Sequence, residues 1–192
     1  IQYSKEKKLF DEVNLTIAYQ DYTESRHDRK YQSETLRNRT ENVKVLSANL
    51  DVDKNLSKKS KLFYGFEAVH NLVDSKGLKE NISTGAIEPC ESRYPDDSWY
   101  STYAAYVSMN HQIGKQLNLN TGLRYSHILS HSEMDTGFYH FPFDEINMNT
   151  GALNGSVGIA WHPDRSWLIK TNLSSGFRAP NIDDVGKVFD SE

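Results

Sequence analysis

Gln116-Leu117-Asn118-Leu119-Asn120-Thr121-Gly122-Leu123-Arg124-Tyr125-Ser126-His127-Ile128-Leu129-Ser130 is the stretch that decides the fold. Its odd positions carry Leu117, Leu119, Leu123, Tyr125 and Leu129; its even positions carry Gln116, Asn118, Asn120, Arg124, Ser126 and Ser130. Successive side chains of a β-strand point to opposite faces, so a period of two sets a greasy face against a polar one. The segment before it, 99–112, repeats the pattern, with Trp99, Tyr103, Ala105, Val107 and Met109 opposed to Tyr100, Thr102, Tyr106, Ser108 and Asn110. Segments 9–23, 150–162 and 166–177 alternate likewise, whereas 40–53 and 60–73 do so with interruptions at Val43, Val45, Phe63 and Val69.

This reading gives about seven strands, each of roughly 12–15 residues, against a usual mode of about 5–6. A strand of that length tilted by about 40° rises on the order of 30 Å, enough to cross an apolar band of roughly 25 Å. The connections sort by length. Residues 53–57, 114–115 and 162–165 are tight polar turns, whereas 24–38, 74–98 and 131–149 read as long charged loops. In a meander, alternate connections share an end, so the short turns fall together and the long loops fall together. Outer-membrane barrels sort their connections in this way. Trp99, Tyr100, Tyr125, Trp161, Trp167 and Phe177 stand near strand ends, where an interfacial aromatic girdle would run.

Composition agrees. The 192 residues include eleven Tyr, eight Phe and three Trp, yet the mean hydropathy is −0.69. That mix suits a sheet with one wet face. The net charge of −4 and dispersed basic residues exclude the footprint of a nucleic-acid binder. Cys90 is the single cysteine, so no disulfide forms within the chain. No apolar run is long enough for a transmembrane helix, which leaves strands as the means of crossing.

The chemical constellations are sparse. His127, His131 and His140 fall near Glu133, Asp135 and Asp144, a set able to contact a transition metal or haem iron. A solvated loop with scattered histidines is the preferred reading, and no metal site or cofactor is assigned. Asp51, Asp53, Asn55 and Ser57 resemble half of a calcium loop, but Leu56 occupies the position that needs glycine. Arg93 and Tyr94, in the longest loop, are candidate ligand contacts together with His131 and His140. Glu67, Arg124, Lys170 and Arg178 fall on the polar face and are candidates to line a lumen, as ion-paired wall residues first and substrate contacts second. No nucleophile elbow, phosphate loop or zinc-hydrolase motif is present, so no catalytic residue is assigned and the chain does not read as an enzyme.

The final segment, Gly176-Phe177-Arg178-Ala179-Pro180-Asn181 followed by Ile182-Asp183-Asp184-Val185-Gly186-Lys187-Val188-Phe189-Asp190, resembles the G-F-R-A-P region of TonB-dependent receptors, those of the Bacteroidetes group in particular. Pro180 weakens regular pairing there, and Asn181 and Asp183 are placed to cap a short helical turn. The resemblance rests on about fifteen residues. It implies an all-β, antiparallel up-and-down meander forming an arc of a 22-stranded outer-membrane barrel closed by a plug.

On that resemblance, residues 1–192 are expected to be a partial barrel without plug, signal peptide or closing strand. The parent would sit in the bacterial outer membrane, contact lipid, and import a scarce nutrient using energy from the TonB complex, through the plug region. Ferric siderophore or haem is the leading substrate and cobalamin the next. A passive porin or adhesin barrel is one alternative and a soluble β-sheet binding module another. The excised arc is expected to self-associate through its open edges and apolar face.

Overall fold

The computed structural model describes residues 1–95, 97–134, 137, 138, 143–182 and 184. Strands β1 (Gln2–Ser4), β2 (Glu12–Asp28), β3 (Thr35–Ser57), β4 (Ser60–Asn81), β5 (Ile87–Cys90), β6 (Ser98–Ile113), β7 (Leu117–Glu133), β8 (Glu145–Trp161) and β9 (Ile169–Ser174) make one sheet. Its order is β1-β2-β3-β4-β6-β7-β8-β9, with β5 beside the far end of β4. Every pairing is antiparallel. No second sheet covers it among the described residues.

All seven expected strands are present, and two short ones join them. β1 is too brief to show a period. β5 contains Pro89 and reads as loop in sequence, yet a proline fits a strand that pairs on one side only.

The register fixes two faces. Leu15, Leu50, Phe66, Ala105, Tyr125 and Leu153 pair successively into one apolar row across six strands. One residue along, Asn14, Asp51, Gly65, Tyr106, Arg124 and Asn154 form a polar row. Because the period is two, a slip of one residue would exchange these faces. The apolar face is bare: Ile17 is 65% exposed, Leu153 67% and Leu173 74%. A soluble sandwich would bury these positions against a partner sheet. Here the face demands an apolar solvent.

Connections sort by end as the sequence suggests. β3 turns into β4 through Lys58-Lys59, and β6 into β7 through Gly114-Lys115-Gln116. Gly114 adopts φ 64°, a left-handed conformation that glycine takes without a Cβ penalty. The opposite end differs from expectation. Residues 24–28, 35–38, 74–81, 131–133 and 145–149 continue the ladder instead of forming loops. β2 stays paired with β3 from Glu12↔Asp53 out to Asp28↔Arg37, and β3 with β4 out to Thr35↔Asn81. Hydrophobic alternation stops where the apolar band stops, while backbone pairing continues into charged surroundings. A hydropathy pattern therefore underestimates strand length at this end.

The bare face yields a stability test. In the vesicle-inserted full-length protein, Leu50→Arg should cost about 2–4 kcal/mol, the penalty for a mid-band cation on a lipid-facing strand. Asn49→Arg, on the polar face opposite Glu67, should stay within about 0.5 kcal/mol of wild type. Urea titration of the two variants measures the difference.

Candidate functional site

The polar face carries its chemistry at three heights. In the middle, Asp51, Gly65, Tyr106 and Arg124 share one row on β3, β4, β6 and β7. Tyr106 reaches across the row and its hydroxyl donates to Asp51 Oδ1 at 2.5 Å. It can do so because Gly65 lies between them. A Cβ at position 65 would fall 2.7 Å from the Tyr106 ring and 2.4 Å from the Leu50 carbonyl oxygen. Next to this pair, Arg124 donates to Glu67 through Nη2, and to Ser126 Oγ at 3.2 Å through Nε. The network ties four strands together and holds Glu67 and Arg124 as an ion pair on the wall.

Toward the short turns the face becomes amide-rich. Asn110, Asn118, Asn120, Asn172 and Lys170 border a shallow depression floored by Gly158 and Ala160. Asn120 donates to Asn110, and Lys170 stands opposite Ala160.

At the long-loop end, beyond the apolar band, charge dominates. Arg37 and Arg39 are two apart on β3 and so share the polar face, and Lys79 pairs opposite Arg37. Glu91, just past β5, meets all three: 3.3 Å to Arg39 Nη2, 3.8 Å to Arg37 Nη1 and 3.5 Å to Lys79 Nζ. Gly77 admits this approach, since a Cβ there would lie 2.3 Å from the Glu91 carbonyl oxygen. Burial works to raise the Glu91 carboxyl; its own backbone N–H and the three cations outweigh burial and hold it below the ordinary glutamate range.

Residues Glu91–Pro95 then cross the polar face as a strap. The Tyr94 N–H donates to Ser75 Oγ at 3.3 Å, and Arg93 Nη1 stands 3.9 Å from Glu24 Oε1. Arg93 also lies 4.8 Å from the Tyr94 ring centroid. Glu41 pairs with Ser75 on one side and Glu24 on the other. It is 3% exposed, and among the described residues neither carboxylate oxygen has a hydrogen-bond partner. Burial, above all, pushes its carboxyl up, against the pull of Arg93 and Arg26.

The structure therefore brings Arg93 and Tyr94 into one half-buried cluster. His131 stands on the opposite, apolar face: its ring lies 6.2 Å from that of Trp99, and its Nδ1 is 2.7 Å from Asn147 Oδ1. His140 lies outside the described residues. Arg178 is not on the wall, since β9 ends at Ser174. Its Nη2 donates to both carboxylate oxygens of Asp184, at 3.0 and 2.9 Å.

That pair closes a capping box within the Gly176–Asn181 motif. Asn181 Oδ1 accepts from the Asp184 N–H at 2.9 Å, while Asp184 Oδ2 accepts from the Asn181 N–H at 3.0 Å. Ala179 and Ile182 are buried beneath it. The expected Asn181 cap is present; Asp183 lies outside the described residues. Sequence reading missed Arg37, Arg39, Glu41, Lys79 and Tyr106. The run Arg37-x-Arg39-x-Glu41 does carry a signal, because charges at a period of two must share a face.

The family model described as "TonB dependent receptor-like, beta-barrel" matches residues 2–189. No curated protein sequence matches the chain at a significant level. Among solved structures, the copper transporter OprC superposes with a TM-score of 0.80 at 15% identity, over 94% of this chain and 29% of that one. The ferric yersiniabactin uptake receptor FyuA from Yersinia pestis gives 0.62 at 17% identity, over 84% and 25%. The ferric citrate transporter FecA in its unliganded form gives 0.59 at 17%, over 84% and 24%. At such identities the likeness is one of fold, and the chain spans less than a third of each relative.

Gly65 offers the sharpest test of the mid-sheet network. Gly65→Ala should destabilise the inserted full-length protein by about 1–3 kcal/mol, the usual cost of overpacking. Tyr106→Phe, which removes only the hydroxyl, should cost about 1 kcal/mol. Urea titration should rank Gly65→Ala as the more damaging of the two.

Proposed function

Since the chain belongs to the TonB-dependent receptor-like β-barrel family, whose members are receptors and transporters of the bacterial outer membrane, we propose that it forms part of the wall and outer mouth of a receptor importing a scarce nutrient. The substrate is a ferric chelate, a ferric siderophore or haem, with cobalamin as the next choice. Import draws on energy delivered by the TonB complex to the plug region of the full-length protein. In this reading the apolar face meets lipid, the polar face meets the lumen, and the long-loop end faces outward. His131, on the lipid-facing side of the mouth, is then not a lumenal contact, and Arg93 and Tyr94 are the retained contact candidates.

One observation carries the substrate class. Arg37, Arg39 and Lys79 converge on a single carboxylate at the outer end of the lumenal face. Ferric chelates are oxygen-rich and commonly anionic, and paired guanidinium groups suit oxyanions by their planar, two-pronged geometry. Two of the fold neighbours have names that refer to ferric citrate and ferric yersiniabactin, whereas the third is named for copper.

Uptake of radiolabelled ferric siderophores and haem by cells carrying the full-length receptor tests the reading. At least one iron complex should enter only when TonB is energised. The Arg37→Gln, Arg39→Gln double variant should weaken its binding by tenfold or more, with surface expression unchanged. Uptake that persists without TonB would instead favour a passive porin. By contrast, the 192-residue chain alone exposes its apolar face and two open sheet edges. We propose that it self-associates in dilute aqueous buffer, and a monomeric sedimentation profile would refute this.

A further inference from the structure

Resting on the reading of the long-loop end as the substrate mouth, we infer that Glu91 is a built-in occupant of an anion site. Its carboxylate fills the cradle of Arg37, Arg39 and Lys79, and a carboxylate-bearing ligand enters by displacing it and lifting the Glu91–Pro95 strap.

Two opposing features make the strap a latch. The first holds it down. Glu91 is the strap's root and engages three cations from two strands, and the Arg39 Nε–H also points to its carbonyl oxygen at 3.5 Å. Farther along, Tyr94 donates to Ser75 and Arg93 approaches Glu24. The second pushes it up. Directly below, Glu41 is sealed from water, and both its oxygens lack hydrogen-bond partners among the described residues. A buried carboxylate without hydrogen bonds destabilises whatever conformation buries it. Lifting the strap returns Glu41 to water.

The closed state is therefore a difference between opposing terms, which a competitor for the cradle can tip. The competitor must satisfy two guanidinium groups and an ammonium at once, so it presents a carboxylate as Glu91 does. Such a ligand pays for entry by releasing Glu91.

Proton uptake adds a direction. The charged groups facing Glu41 are Glu24 and Arg26 from β2, Arg39 from its own strand, and Arg93 from the strap, while β4 contributes uncharged Ser75. Raising pH through Glu41's elevated pKa charges it and favours lifting. Glu91's hold is present above the ordinary glutamate range and is lost as pH falls through its depressed pKa. Closure is thus strongest at mildly acidic pH.

Cys90 supplies a native probe. It is 3% exposed, its Sγ lies 3.8 Å from the Glu91 carbonyl oxygen, and it pairs opposite Gly77 under the strap's root. The experiment uses the full-length receptor in detergent micelles at pH 7.5. Maleimide labelling of the Cys90 peptide and hydrogen exchange of the Glu91, Ser92, Arg93 and Tyr94 amides are followed by mass spectrometry, with citrate as the probe anion. Citrate should accelerate both in the wild type by tenfold or more, saturably. Glu91→Gln should reach the accelerated rates without citrate and lose the citrate response. Glu41→Gln should slow both below wild type. Amide exchange guards against the change in thiol reactivity that removing the Glu91 charge brings. Rates in Glu91→Gln within twofold of wild type would overturn the latch, and wild-type rates indifferent to citrate would overturn anion displacement. Neither readout requires transport, so failure here is distinguishable from failure of the import reading.

Discussion

A backbone amide in hydrocarbon has no water to bind, and leaving it unpaired costs several kcal/mol. Register, faces and the placing of charge all follow from this requirement. It forces the chain into an unbroken ladder, and the ladder fixes which side chains share a row. With the register set, the apolar row from Leu15 to Leu153 and the polar row from Asn14 to Asn154 follow from the pleat alone. Lipid then accepts one face, and the other becomes free to carry charge.

The polar face uses this freedom in graded fashion. Near the short turns it presents amides and Lys170. In the middle, Tyr106, Asp51, Glu67 and Arg124 satisfy one another across four strands. At the long-loop end the groups are less well matched. Glu91 is over-supplied with cations, while Glu41 has no hydrogen-bond partner among the described residues. A wall needs complete pairing to be rigid, whereas a mouth that exchanges partners needs groups held short of it. The position of the mismatch, above the apolar band, fits that division.

Much of the fold was legible beforehand because its cause is periodic. Leu117 to Leu129 shows the strand, and the alternation of short and long connections shows the meander. What stayed hidden has physical reasons. The strand ends at 24–28 and 74–81 are largely polar on both faces, so no hydropathy pattern marks them. β5 was masked by Pro89, whose missing N–H matters only on a paired side. The bridge from Tyr106 to Asp51 depends on the empty space at Gly65, which no spacing reveals. Glu91 falls in the 74–98 segment that reads as loop, but its partners lie on β3 and β4, far off in sequence. His131 looked like a loop ligand, although its odd number placed it on the greasy face with Leu129. The Gly176–Asn181 motif pointed to the family, and its internal pairing of Arg178 with Asp184 came only from the structure.

One face of this sheet is solvated by lipid and the other by an aqueous lumen. Spin labels placed singly at each position from 117 to 130 of the full-length receptor in vesicles test it most directly. Their accessibility to oxygen, which partitions into lipid, and to a water-soluble nickel chelate would be measured. The account predicts opposite oscillations of period two, with oxygen peaking at 119, 123, 125 and 129 and the chelate or burial dominating at 118, 120, 124 and 126. Equal aqueous accessibility on both faces, or no period of two, would contradict it.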